Sequence, residues 1–275
     1  MSRKGVLAVL GTVVLLGAIV FAAGGKLPWT SGASGDRCTI PERLVVSSPA
    51  VSTPGGGIKV VDQGFSQSPS GLVSLGAVVE NTSADVAYRV PVKFRLFDAA
   101  RHELPEVTAS EVPLLLPGQR IGAGKGTYER DASVATVETV VGPNAWLPSG
   151  AVGSLSPVKA TPLQTRHYYP DNPIYVDVHY REMSTNCRAL DSSTTTAIFR
   201  DPAGRIIGGD SGWAGMQLTF RDTHGTEIVV ERQLPAGQSC SPGERETWVI
   251  PDVGAPTTGD DARTEVYPYC ALGAE

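Results

Sequence analysis

Residues 5–24 form an uncharged, largely apolar run that directly follows Arg3 and Lys4. About 20 residues at helical rise span about 30 Å, which is the thickness of the hydrocarbon layer of a bilayer. Because the two cations precede this run, the positive-inside tendency keeps the N-terminus in the cytoplasm. The sequence therefore predicts an N-terminal membrane anchor at residues 1–25 and a single-pass cell membrane protein whose remaining residues are extracytoplasmic.

A cleaved secretory signal is the alternative interpretation of the same segment. Signal peptides usually contain about 7–15 apolar residues, which is fewer than this run contains. Residues 20–22, Val-Phe-Ala, nevertheless resemble a cleavage site with small residues. We expect a retained anchor, and both interpretations place residues 26–275 outside the cytoplasm.

The charge of the exported part argues against two classes of partner. Without Arg3 and Lys4, the chain has 21 basic residues against 28 acidic residues. A mildly acidic surface lacks the basic patch that nucleic-acid binding requires. It also disfavours adhesion to anionic lipid beyond the anchor itself. We therefore expect no nucleic-acid partner, and membrane contact only through residues 5–24.

The cysteine count indicates disulfide bonds. The chain has four cysteines, Cys38, Cys187, Cys240 and Cys270. In an oxidising compartment they predict two disulfides with three alternative connectivities, or one bridge and two unpaired thiols. Because no cysteine lies between residues 39 and 186, full pairing requires a bond from Cys38 to the second half. Cys270 is the expected partner, since chain ends often lie close together.

Alternating apolar and polar residues predict β-strands in the first half. The clearest apolar set is Val86, Tyr88, Val90, Val92, Phe94 and Leu96. Alternate residues of a strand face opposite sides of a sheet, so this set should face a core. Pro91 falls on the polar side and has no N–H, which predicts a sheet edge or a bulge. Residues 72–79 are expected to pair with this strand through a turn at residues 81–85.

The second half of the sequence shows the same alternation of apolar and polar residues. Strands are predicted at residues 174–180, 194–199, 216–220, 227–230, 247–250 and 265–269. Many short strands separated by turn signals are typical of β-sandwiches. Because one sandwich contains about 100 residues, the chain is long enough for two.

The predicted fold class is all-β, with two tandem immunoglobulin-like β-sandwich domains behind one N-terminal transmembrane helix. A linker rich in Gly, Ser and Pro occupies residues 26–57, with at most one short strand at residues 43–46. The two domains are expected at residues 58–150 and 151–275.

An internal similarity supports the division into two domains. Residues 95–101 resemble residues 198–205, which aligns Asp98 with Asp201. Downstream, residues 116–119 resemble residues 234–238. The two similar segments are further apart in the second half than in the first, so this alignment requires an insertion in the second half. An alignment on Phe220-Arg221-Asp222 requires no insertion, so both alignments stay open.

The segment Phe94-Arg95-Leu96-Phe97-Asp98 resembles the Phe-x-Leu-Tyr-Asp signature of the FxLYD domain family. Upstream, Gly76, Val78 and Asn81 resemble the family's Gly-x-Val-x-Asn feature, and residues 115–118 resemble its Leu-x-Pro-Gly feature. The resemblance covers mainly residues 58–150. It implies an immunoglobulin-like sandwich of bacterial envelope proteins without established catalysis, and it implies no site residues.

Two glycine-rich segments resemble catalytic motifs. Residues 122–127, Gly-Ala-Gly-Lys-Gly-Thr, resemble a phosphate-binding loop, but Gln119 stands where the motif requires its first glycine. Residues 209–212, Gly-Asp-Ser-Gly, resemble the nucleophile loop of serine proteases, which also needs a histidine base and an orienting aspartate. We expect both segments to be turns.

One further place in the sequence offers candidate metal ligands. Asp177 and His179 share a predicted strand face, with His167 upstream, but two ligands at this spacing do not complete a tetrahedral set. The sequence therefore predicts no catalytic residue, no cofactor and no metal ligand.

These observations favour a non-catalytic extracytoplasmic binding or scaffold protein, anchored to the membrane, with an unknown envelope protein or glycan as partner. The alternatives are a secreted serine-type hydrolase that uses Ser211, with His102, His167 or His179 as its base, and a purely structural spacer.

Overall fold

A computed structural model describes residues 38–44, 46, 50–51, 56–129, 132–167, 176–212, 218–221, 227–230, 240–251 and 255–274. These residues form β-strands, turns and two single-turn 3₁₀ helices, at Ser149–Val152 and Asp261–Arg263. No α-helix occurs within these ranges, so the all-β prediction is confirmed for the described residues. Residues Cys38–Glu275 form one compact unit.

The predicted membrane anchor at residues 5–24 lies outside the described residues. Among the residues that are described, no helix is both long enough and apolar enough to cross a bilayer.

The strands of the first half are, in chain order, β1 (Arg43–Leu44), β2 (Ala50–Val51), β3 (Ile58–Gln67), β4 (Leu72–Asn81), β5 (Val86–Val90), β6 (Val92–Phe97), β7 (Val107–Thr108), β8 (Val112–Leu115), β9 (Arg120–Tyr128), β10 (Thr136–Val141) and β11 (Ala145–Leu147). Strands β2 to β11 form three sheets with the strand orders β10-β6-β7, β2-β11-β5-β8 and β3-β4-β9.

The strands of the second half are β12 (Lys159–His167), β13 (Val176–Ser184), β14 (Asp191–Arg200), β15 (Ile206–Gly212), β16 (Leu218–Arg221), β17 (Glu227–Val230), β18 (Gly243–Val249), β19 (Glu265–Ala271) and β20 (Gly273–Ala274). Their sheets have the orders β12-β13-β18, β15-β14-β19 and β16-β17. The short parallel pair of β1 and β20 brings the beginning and the end of the described chain together.

The chain changes sheets at Pro91, within the segment that alternation predicts as one strand. β5 ends at Val90 in one sheet, and β6 begins at Val92 in another. Arg89 has a φ of 52°, and the carbonyl of Pro91 accepts a hydrogen bond of 2.9 Å from Gly142 N. Because proline has no N–H to donate, it suits this corner better than the interior of a strand.

Strand β4 is buried on both faces. Leu75 lies in the same apolar core cluster as Phe94, and Gly76 on the opposite face lies against β15. β4 pairs with β3 and β9, so the prediction that it pairs with the strand after residues 81–85 is wrong. The turn at these residues instead carries the chain from one sheet to another.

The two halves of the chain meet along a row of glycines that we call the glycine seam: Gly64, Gly76 and Gly124. These residues are direct cross-strand partners on β3, β4 and β9. A Cβ at Gly76 would lie 2.5 Å from the carbonyl oxygen of Gly208 in β15. Because a side chain would block this approach, glycine allows the backbone of β15 to pack directly on the sheet.

Asp98 and Asp201, which the internal similarity aligns, begin turns with the same hydrogen bonds. In each turn the aspartate N–H donates to the carbonyl four residues ahead, at 3.0 Å to His102 O and 2.9 Å to Arg205 O. Each aspartate Oδ1 also accepts from that residue's N–H, at 2.8 and 2.9 Å. The two segments therefore adopt the same hairpin, while residues 234–238 lie outside the described residues.

All four cysteines are paired, as Cys38–Cys187 and Cys240–Cys270. The expected bond from Cys38 into the second half is confirmed, with a separation of 149 residues. The choice of Cys270 as its partner is wrong, because Cys270 bonds to Cys240, only 30 residues away.

Candidate functional site

Ser211 lies inside the fold. The segment at residues 209–212, expected to be a turn, instead belongs to β15, and Ser211 is 4% exposed. Its hydroxyl is 2.7 Å from Thr196 Oγ1 and donates to the carbonyl of Gly124 at 3.3 Å. The serine therefore joins β14, β15 and β9 and is not presented to a substrate in this structure.

Each of the three histidines that are candidate general bases for Ser211 contacts a carboxylate. His102 lies 3.0 Å from Asp98, and His167 lies 3.0 Å from Asp261. His179 lies 3.0 Å from Asp177 and stacks on Trp248. Two of these contacts tie neighbouring residues of one turn or one strand, so their local role is structural.

Asp177 and His179 are not part of a metal-binding cluster among the described residues. Asp177 is fully buried in β13, although strand alternation places its side chain on the predicted polar face. Within the described part of the chain, no group of three or more His, Cys, Asp or Glu side chains is arranged to hold a metal ion.

The glycine-rich segment at residues 122–127 is the middle of β9, not a turn or a phosphate loop. A Cβ at Gly122 would lie 2.5 Å from the ring of Tyr267, and a Cβ at Gly124 would lie 2.5 Å from the backbone of Gly209. The glycines here make room for β15 and β19, which explains their frequency without a phosphate.

Two of the features that carry the family resemblance, the one that includes Asn81 and the one at residues 115–118, meet at Asn81. Its side-chain amide donates to the carbonyls of Asp85 and Leu115, each at 2.8 Å, and its backbone carbonyl accepts from Gly118 N. Asn81 is fully buried, so it holds the Leu-Pro-Gly turn in place. A buried and fully bonded amide is also a poor acceptor for the glycan that the sequence Asn81-Thr82-Ser83 otherwise fits.

A buried carboxylate lies next to the second disulfide. Glu182 is fully buried, and its Oε1 accepts from Cys240 N at 2.7 Å and lies 3.1 Å from Arg245 Nε. Burial raises the pKa of Glu182, and the Cys240 N–H and the Arg245 charge act in the opposite direction. The carboxylate thus holds the chain at Cys240, and no sequence pattern singled it out.

A groove of about 440 Å³ lies where β9, β12 and β19 converge, and we call it the junction groove. It is lined by Gln119, Arg120, Ile121, Pro157, Val158, Lys159, Ala160, Thr161, Val266, Tyr267 and Pro268. Its volume is in the range of small-molecule sites, which combine apolar walls with a few placed polar groups. Both halves of the chain contribute, so the groove exists only because they pack together.

Most charged side chains around the junction groove are paired with a group of opposite charge. Arg120 Nε lies 3.0 Å from Glu80. The hydroxyl of Tyr267 donates to Glu265, which also pairs with Arg200 at 2.7 Å. Burial raises the pKa of Tyr267, and its bond to Glu265 acts in the same direction, so the phenol stays protonated.

Lys159 differs from these cations. It is exposed at the first position of β12, and among the described residues no carboxylate lies within ion-pair distance of its ammonium group. The groove therefore combines an aromatic ring held in place, an arginine paired with a carboxylate, and a lysine that has no ion pair with any described residue. Sequence reasoning missed this site because its lining comes from three distant segments.

Comparison of the sequence with protein-family models and with curated proteins finds no match.

Proposed function

We propose that this chain is a non-catalytic binding or scaffold protein of the bacterial envelope, held at the cell membrane by residues 5–24. In this proposal residues 58–150 are an FxLYD-like sandwich and residues 151–275 are a second immunoglobulin-like sandwich that contains the cysteines. Their packed arrangement presents a surface to an envelope partner or glycan.

The junction groove carries the proposal. Charged, aromatic and apolar side chains from both halves line this one cavity, as binding sites typically require. Two disulfides support an oxidising location, because such bonds persist mainly outside the cytoplasm. The burial of Ser211 favours this proposal over a serine-type hydrolase.

Site-specific photo-crosslinking in cells tests the proposal. A photoreactive residue replaces Thr161, which lies in the groove, and the matched control replaces exposed Lys59 in β3. We expect a discrete adduct with an envelope component at position 161 and none at position 59. Absence of any adduct at position 161 counts against a binding role and favours a structural spacer.

Labelling with a fluorophosphonate probe separates this proposal from the hydrolase. We expect no labelling of the folded protein, because the Ser211 hydroxyl is buried and hydrogen-bonded. Labelling that disappears in Ser211→Ala would establish the hydrolase instead.

A further inference from the structure

We infer that the junction groove binds a carboxylate-bearing saccharide, with the carboxylate on Lys159 and a sugar ring against Tyr267. This inference rests on the proposed binding function and specifies its ligand. It follows from the charge, the walls and the backbone of the groove.

The charge of the groove selects an anion. Arg120 is already paired with Glu80, whereas Lys159 has no carboxylate at ion-pair distance among the described residues. Both cations line the groove, and a carboxylate bound at Lys159 gains a charge-assisted hydrogen bond from its ammonium group.

The walls of the groove favour a sugar over a small inorganic anion. Tyr267 presents a partly buried ring whose position is set by its bond to Glu265 and by the close approach of Gly122. An apolar face next to hydroxyl and amide groups matches the two faces of a sugar ring, which carries C–H groups on one side and hydroxyls at its edge. Thr161 and Gln119 supply polar groups around this ring.

The backbone disfavours an extended acidic peptide. Peptides that add to a sheet edge are held by main-chain hydrogen bonds. Pro157 and Pro268 line the groove, and neither has an N–H to donate. Recognition here must therefore depend on side chains, which suits a saccharide better than an added strand.

Isothermal titration of the full chain in detergent micelles tests the inference with tri-galacturonic acid as the probe. Its methyl ester is the matched neutral ligand, and a peptide of glutamate residues is the matched acidic peptide. We expect binding of the acid, with at least about tenfold weaker binding of the ester, because the ester loses the charge-assisted bond.

Variants locate the site. Lys159→Gln keeps the length of the side chain and should weaken binding of the acid about tenfold, whereas Lys59→Gln should leave it unchanged. Equal melting temperatures of the two variants and the wild type show that both are folded. Tyr267→Ala should weaken the acid and the ester together, since it removes the surface on which the sugar ring lies.

The inference is overturned if the wild type does not bind tri-galacturonic acid, if the ester binds equally well, or if the two lysine variants behave alike. It is also overturned if the glutamate peptide binds more tightly than the saccharide. A crosslinked envelope component at position 161 together with any of these outcomes leaves the proposed function standing, so the two failures are distinguishable.

Discussion

At the scale of single residues, Glu182 is a buried carboxylate that no sequence pattern singles out. It lies on a strand next to exposed Arg181 and Met183, yet it is fully buried against Cys240 and Arg245. A buried carboxylate is costly unless it is paired, because charge is poorly solvated in a protein interior. Its effect on stability should therefore depend on pH.

Burial raises the pKa of Glu182, so the folded chain holds this proton to a higher pH than the unfolded chain does. The group's contribution to stability is then largest below the ordinary pKa and is lost as pH rises through the raised value. Glu182→Gln should remove this dependence, and melting temperatures measured from pH 4 to pH 8 check it. The exposed control Glu244→Gln should show the same change of melting temperature with pH as the wild type. If the curve of melting temperature against pH for Glu182→Gln runs parallel to that of the wild type, the prediction is contradicted.

Phe94 and Arg95 test the strand faces residue by residue. Phe94 is fully buried, so Phe94→Ala should cost about 3–5 kcal/mol of unfolding free energy. Arg95 points outwards, where it pairs with Glu103 at 2.7 Å. Arg95→Ala should therefore lower the unfolding free energy much less than Phe94→Ala does. Urea denaturation measures both, and similar losses would mean that the register of β6 is wrong.

At the scale of elements, sequence patterns predicted several strands correctly and misassigned β15. The segments at residues 227–230 and 265–269 lie within β17 and β19. Strand β15, with two adjacent glycines and Asp210-Ser211, carries no alternation and instead resembles a turn. Its assignment depends on packing against β4 and β9, which a local pattern does not contain.

The glycine seam gives the element-scale prediction. Gly76→Ala places a Cβ 2.5 Å from the backbone oxygen of Gly208, and backbone cannot move aside as the end of a side chain can. We expect a loss of about 1–3 kcal/mol through overpacking, measured by urea denaturation. Gly150→Ala is the control, because nothing lies within 4 Å of its Cβ position and it should be nearly neutral. Equal stability of both variants would show that β15 does not cross the seam so closely.

At the scale of the whole molecule, the sequence predicted that Cys38 reaches the second half but not which cysteine it meets. The contacts of the residues that follow Cys38 explain why Cys38 bonds to Cys187. Ile40 and Leu44 join a core cluster that contains Leu190, close in sequence to Cys187, and Arg188 bonds to the carbonyl of Ile40. The junction groove belongs to the same scale, because its walls come from segments that only the packed halves bring together.

The Cys38–Cys187 bond should stabilise the molecule chiefly by constraining the unfolded chain. Both cysteines are exposed, so Cys38→Ala/Cys187→Ala removes little packing, and the loss reports the 149-residue loop. The chain-entropy relation gives about 5 kcal/mol for a loop of this length. Urea denaturation of the oxidised proteins measures the loss, and non-reducing peptide mapping should recover a linked Cys38–Cys187 peptide from the wild type. A linked Cys38–Cys270 peptide, or a double variant as stable as the wild type, would mean that the first described residues are not fastened to the second half.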